Sequence, residues 1–189
     1  MNLLRAYVRG LLTEAAKRPE GLPADWMVYV DNIGDEYRIE LAGDGRTVGS
    51  LTIGPAGTDV DPCLGSYQVN TSQAEQGWGP MLYDVAMEIA SMYSSGLIAD
   101  RNDVSDEAQK VWQFYQDNRP DVEIAQLDDL WNTLTPDEYD NCLQDVARSD
   151  VVYPDEWYDS PLSKLYGVSG TPTIDRLKAL GKIEFEEPR

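Results

Sequence analysis

"EQGWGPMLYDVAMEIA", Glu75 to Ala90, sets two glycines, a tryptophan and a proline directly against an apolar run. Leu82, Val85, Ala86, Ile89 and Ala90 recur at three- and four-residue spacing, the period of a helix that buries one face. Pro80 suits the first helical position, where its missing N–H costs no intrahelical bond. Two readings of Gly77 and Gly79 are open. They let free N–H groups at a helix N-terminus face an anionic ligand, with the helix dipole adding to the attraction, or they only make a tight lead into a packed helix.

Working outward, the residues before this motif read as strands. "WMVYV" (Trp26 to Val30), "EYRIEL" (Glu36 to Leu41), "TVGSLTIG" (Thr47 to Gly54) and "LGSYQVN" (Leu64 to Asn70) are β-rich and punctuated by glycine. "AGDGR" joins the second and third as a hairpin turn, because Asp-Gly tolerates positive φ. After the motif, "GLIAD" (Gly96 to Asp100) reads as a short strand. "SDEAQKVWQFYQDN" reads as a helix with Ser105 as N-cap and two acids in its first turn. "DVEIAQL" (Asp121 to Leu127) is a further strand. "TPDEYDNCLQDVA" opens with a capping-box pattern at Thr135 and Glu138, which predicts a helix carrying Asp137, Glu138, Asp140 and Asp145 on a solvated face. "TPTIDRLKALG" predicts a last helix capped by Thr171 or Thr173 and closed by Gly181. At the other end, Leu3, Leu4, Tyr7, Val8, Leu11 and Leu12 predict an amphipathic helix over residues 1–18.

The composition bounds what this chain does. Apolar residues make up 42% of 189, enough for a packed core. The net charge of -19 repels phosphate backbones and anionic membranes, which argues against direct nucleic-acid binding. Solubility is the plain reading of that charge; imitation of nucleic acid toward a DNA-binding partner is the sharp one. No run of about 18 apolar residues predicts a membrane span, and the first residues lack a secretory signal pattern, so a soluble intracellular protein is expected. With no histidine, Ser-His-Asp and Cys-His machinery and His-containing zinc sites are excluded. Cys63 and Cys142 are too few for a disulfide framework and read as buried small apolar residues. Any catalysis falls to carboxylates, Tyr, Ser/Thr, Lys or backbone groups.

From Trp26 to Leu127 the chain resembles the GNAT superfamily of acyl-CoA N-acyltransferases. The resemblance is carried by "AEQGWG", with Gly77 and Gly79 at the spacing of a pattern that follows the fourth strand and opens a helix, and by "SDEAQKVW", with Ala108 and Val111 in a later helical pattern. It implies an α/β fold, a mixed and mostly antiparallel central sheet flanked by helices, over residues 26–127. An N-terminal helix (1–18) and a helical or irregular C-terminal extension (128–189) would surround it. Departures stand beside the match: Ala74 at the usual Arg/Gln place, Ser105 for Asn, and Trp112 for a Tyr, with Tyr115 three residues on. Arg46 and Arg101 bound a stretch without any Lys or Arg, so sequence alone supplies the loop with no cation. "GPMLYDVAMEIA" and "GLIADRNDVSDEAQKVW" also look like segments of tailed-phage proteins of unassigned function.

The resemblance implies transfer of an acyl group from acetyl-CoA or another acyl-CoA to an amine. It places Gln76, Gly77, Trp78, Gly79 and Ser105 at the cofactor, with backbone groups of Gln68 and Val69 beside the thioester. Tyr115 would protonate the leaving thiolate and Glu75 would assist the amine as base; the plain reading of Tyr115 is a packed aromatic helix face. The other partner reading is a non-catalytic scaffold in a virion, assembling through the N-terminal helix as a homo-oligomer, its cofactor space filled by Trp78 or Trp112. Host cytoplasm or virion is then the expected location. "YPDEWYDSPLSKLYG" reads as an irregular cover over the core, or as aromatic anchors for a partner.

Overall fold

Alternating apolar residues in the first half become strands with one buried face. A computed structural model describes residues 16–56, 61–75, 77–151, 153 and 155–186. Strands β1 (Met27–Ile33), β2 (Glu36–Gly43), β3 (Arg46–Pro55) and β4 (Tyr67–Ala74) form an antiparallel meander. Val28, Val30, Ile39, Leu41, Leu51 and Ile53 point into the core at the two-residue period of a pleated strand. The β2–β3 turn uses Asp44 and Gly45, both at positive φ, as the Asp-Gly pair predicts.

Helix α1 (Gly79–Tyr93) follows β4 through the glycine loop, and its five periodic apolar residues are all buried. Then come β5 (Leu97–Ile98), helix α2 (Asp106–Asn118) and β6 (Val122–Gln126). Gly96 precedes β5 at φ 139°, and a Cβ there would stand 2.6 Å from the Tyr166 carbonyl oxygen, so only glycine fits.

The last third of the chain departs from the expected extension. Residues 127–163 form an insertion with a two-stranded parallel ladder, β7 (Asp128–Asp129) and β8 (Asn141–Cys142), and a short helix α3 (Asp145–Asp150). The chain then returns to the central sheet as β9 (Lys164–Val168), forms α4 (Pro172–Ala179) and ends as β10 (Ile183–Glu186). The eight-stranded sheet has the order β10-β1-β2-β3-β4-β5-β9-β6. Two of its strands therefore come from residues expected to lie outside the core. Within this sheet, among the described residues, only β1–β10 and β4–β5 pair in parallel. The molecule is thus mixed α/β, with a large, mostly antiparallel sheet flanked by helices.

Further expectations are corrected. The helix predicted from Thr135 is replaced by turns, because local side chains capture the backbone: Asp137 N–H donates to Thr135 Oγ1 at 3.2 Å, and Tyr139 N–H to Asp137 Oδ1 at 2.9 Å. Asp137, Glu138 and Asp140 therefore share no helix with Asp145. Cys63 and Cys142 are joined in a disulfide rather than packed as separate thiols. Thr171 makes no side-chain cap to α4; Glu88 of α1 supplies it, its carboxylate accepting the N–H groups of Thr173 (2.7 Å) and Ile174 (2.8 Å). Trp157 and Tyr166 of the predicted cover are core residues, leaving Tyr153 and Tyr158 exposed. The helix expected over residues 1–18, and assembly through it, lie outside the described residues except for Ala16–Arg18, which are not helical. Among the described residues no helix is long and apolar enough to cross a membrane.

Candidate functional site

β4 and β5 pair through only two residues each, Tyr67 with Leu97 and Gln68 with Ile98. Beyond them β5 ends in a turn, in which Asp100 Oδ1 accepts the N–H groups of Asn102 (2.7 Å) and Asp103 (3.2 Å). The start of α2 then lies across the gap, and the edge of β4 from Val69 to Ala74 has no strand partner on that side among the described residues. A bulge adds to the opening. Thr52 pairs with Thr71 and Ile53 with Val69, which leaves Asn70 as the extra residue, its amide donating to Glu36 Oε1 at 2.9 Å. Bulges bend a strand and re-aim its side chains.

Two cavities occupy the gap. The larger, about 390 Å³, is lined by Gly77, Gly79, Lys110 and Glu107 and by apolar walls that include Leu51, Pro80, Leu82 and Val111. The smaller, about 280 Å³, is lined by Val69, Asn70, Thr71, Asp100, Asp103 and Trp112, among others. Ser72, Tyr83, Ser105 and Ala108 line both, so the two cavities adjoin along one groove.

At the loop end, α1 begins without a side-chain cap, since Trp78 occupies the N-cap position and offers no acceptor. Uncapped first-turn amides need a partner from elsewhere. Among the described residues, the amides of Gly77 and Gly79 meet no acceptor. Gly77 sits at φ 90°, a conformation that favours glycine. The tertiary structure also supplies the cations that the neighbouring sequence lacks. Lys110 lines the groove. Lys17 donates its amide to the Gly77 carbonyl at 2.8 Å and holds its ammonium 4.9 Å from the Trp78 ring centre. Glu75, beside the loop in sequence, is paired with Arg46, whose hydrogen bond holds its carboxyl below the usual carboxylate range. Glu107 lines the same cavity as Lys110, so the charged side chains there are of both signs.

The residues singled out from sequence divide. Val69, Gly77, Gly79 and Ser105 line the groove; Ser105 also caps α2, accepting the Ala108 N–H at 3.3 Å. Gln68 stands in the last β4–β5 pair and donates to Asn70 Oδ1 at 3.0 Å. Trp78 does not reach the groove: its ring is buried against Trp26 at 5.7 Å, and its amide donates to the Glu75 carbonyl. Tyr115 lines neither cavity. Its hydroxyl donates to Asp84 Oδ1 at 2.9 Å, within a cluster where Arg119 also reaches Asp84 at 2.7 Å, and burial raises its pKa well above that of a free phenol. Glu75 is exposed and engaged with Arg46, outside the groove lining. Gln76 lies outside the described residues.

Sequence reasoning passed over Tyr83, Ser72 and Lys110. Tyr83 is only 4% exposed, and its hydroxyl lies 3.0 Å from Ser72 Oγ, where the two cavities meet. Burial, the main influence, keeps this phenol protonated above its ordinary range. One signal was readable: Tyr83 is four residues after Gly79, hence on the same flank of α1 one turn further on. Nothing local marks Lys110, which lines the same cavity as Gly77 and Gly79 only because α2 lies across the gap. A scan against known protein families and searches of curated proteins and solved structures find no significant match to this chain.

Proposed function

We propose that the protein is an acyl-CoA-dependent N-acyltransferase that moves an acetyl or other acyl group to an amine. The observation that carries the reading is the groove between the diverging strands β4 and β5, with uncapped glycine amides and Lys110 at one end. A diphosphate fits the chemistry of that end, and the apolar walls that follow suit a pantetheine arm. The order of β4, glycine loop, α1, β5 and α2 is also the order that the resemblance to the GNAT superfamily requires. The acidic chain, with Asp100 and Asp103 beside the inner cavity, suits a cationic acceptor.

The test is thermal. Acetyl-CoA at 100 times its dissociation constant stabilises the native state by about 2.7 kcal/mol, and a raised melting temperature reads this. Gly79→Glu abolishes the shift by filling the groove with a side chain and a negative charge. The fold accommodates that side chain, since the nearest atom to a Cβ at Gly79 is Ala74 Cβ at 3.9 Å. No shift with acetyl-CoA at millimolar concentration overturns the reading.

One observation favours the alternative, a non-catalytic scaffold that binds partners, in a virion or elsewhere. Trp131, Leu134, Tyr139 and Tyr153 are exposed on the acidic insertion. That reading expects Trp78 or Trp112 to fill the groove; Trp78 lies in the core, and Trp112 forms a wall of the inner cavity.

A further inference from the structure

The groove has two ends of different character and one narrow meeting place. The outer cavity carries the glycine amides and Lys110, and the inner one carries Asn70, Asp100 and Asp103. A donor anchored by phosphates in the outer cavity and an amine entering the inner one react where the cavities join. The residues with polar side chains that line both are Ser72, Tyr83 and Ser105. Ser105 Oγ is occupied as the cap of α2, which leaves the Ser72–Tyr83 pair.

Resting on the acyltransferase reading above, we propose that Tyr83 is a catalytic residue, its phenolic O–H giving the proton that the departing thiolate takes, with Ser72 connecting that phenol to solvent. The neutral amine nitrogen attacks the thioester carbonyl carbon and forms the C–N bond. Collapse of the tetrahedral adduct breaks the C–S bond, sulfur keeps the electron pair and receives the Tyr83 proton, and the nitrogen loses its extra proton to water. The Tyr83 phenolate regains a proton through the Ser72 hydroxyl, which stands on an exposed stretch of β4. The products are the amide and a free thiol.

Three features fit the assignment. The Tyr83 hydroxyl stands 3.0 Å from the Ser72 hydroxyl, a partner through which it can regain a proton. The ring is fixed by an edge-on contact with Trp112, centroids 5.5 Å apart, which limits its freedom. Tyr115, the tyrosine that sequence reasoning favours, has its hydroxyl committed to Asp84 and lines neither cavity.

The experiment measures acetyl-CoA binding by calorimetry, and thiol release with hydroxylamine and with 1,4-diaminobutane as acceptors small enough to need no specific recognition. In Tyr83→Phe, which keeps the ring and its contact with Trp112, kcat falls about 100-fold or more, in the range of a lost proton donor. Affinity for acetyl-CoA stays within about threefold of the native protein. The native pH profile falls on its basic side as the phenol ionises, and the variant lacks that limb. Ser72→Ala, on an exposed strand position, gives a smaller loss of kcat with unchanged affinity and guards against a folding defect at Tyr83. Tyr115→Phe leaves kcat unchanged. Turnover within threefold of native in both Tyr83→Phe and Ser72→Ala overturns the assignment, as does a native protein that binds acetyl-CoA but releases no thiol. Absence of acetyl-CoA binding by the native protein instead overturns the acyltransferase reading itself, and this assignment with it.

Discussion

The β1–β4 meander and the insertion at residues 127–163 are held together in opposite ways. The meander rests on many equivalent contributions, a continuous ladder and a buried face of aliphatic residues from each of its strands. The insertion also places Leu127, Val146, Ala147, Trp157 and Leu162 in the core, but its ladder is only two residue pairs long and buried polar links tie it to the rest. Arg101, 3% exposed, donates to the carbonyls of Ala99 (2.9 Å), Leu143 (3.3 Å) and Leu162 (2.8 Å) and so ties the end of β5 to both arms of the insertion. Beside it the Cys63–Cys142 disulfide joins β8 to the turn before β4, and buried Asp129 pairs with Arg148. Stability spread over many contacts degrades gradually; stability concentrated in a few buried polar groups fails at single positions.

Three measurements test that difference. The largest effect is expected at Arg101. Arg101→Met removes the donor from three carbonyls, two of them buried, and should cost about 3–5 kcal/mol, the scale of breaking a buried charged network. Hydrogen exchange then shows protection lost in residues 127–163 while β1–β3 amides stay protected; a uniform loss across both regions breaks the comparison. Next is the disulfide. Cys63→Ala with Cys142→Ala, or reduction of the native protein, should lower stability by about 2–4 kcal/mol in a chemical melt, with the proteolytic cuts that follow confined to the insertion. Unchanged proteolysis would mean the insertion holds without the bridge.

The smallest effect concerns Glu88, which caps α4 from within α1. Glu88→Gln keeps one acceptor and loses the other, an expected cost of about 1–2 kcal/mol. Its pH dependence has a definite sign. Burial, opposed by the two accepted N–H groups, raises the Glu88 carboxyl above its ordinary value. The folded state therefore holds this proton more tightly than the unfolded chain does. The resulting stability is present below the ordinary carboxylate range and is lost as pH rises through the elevated value. Glu88→Gln removes that dependence, so the native and variant stability curves differ in slope within that window and run parallel above it. Parallel curves throughout would show that Glu88 titrates as a free carboxyl.

The same contrast explains which parts could be read in advance. The meander, α1, α2 and β6 announce themselves through periods of two or of three and four, because each buries one face against a common core. The insertion misled for a physical reason. Thr135, Pro136 and Glu138 present a helix start, but Thr135 Oγ1 and the Asp137 carboxylate bond neighbouring backbone groups and hold turns instead. β9 was hidden inside an aromatic, proline-punctuated segment whose burial depends on neighbours far away in the chain. At the groove, the glycine pair and Ser105 were legible as local motifs. Tyr83, Ser72 and Lys110 were not, since their roles follow from where strands part and helices cross.

By itself the sequence determined the strand-rich first half, the glycine lead into a buried helix, the acidic surface and the absence of histidine chemistry, because these depend on composition and local period alone. Only the tertiary structure decided that the C-terminal residues complete the central sheet, that two distant cysteines meet, that Lys17 comes to the glycine loop and Lys110 to the groove, and that Tyr83 rather than Tyr115 lines the groove. Each of those is a contact between residues remote in the chain. Such contacts are set by the packing of whole elements, a quantity that no short stretch of residues encodes.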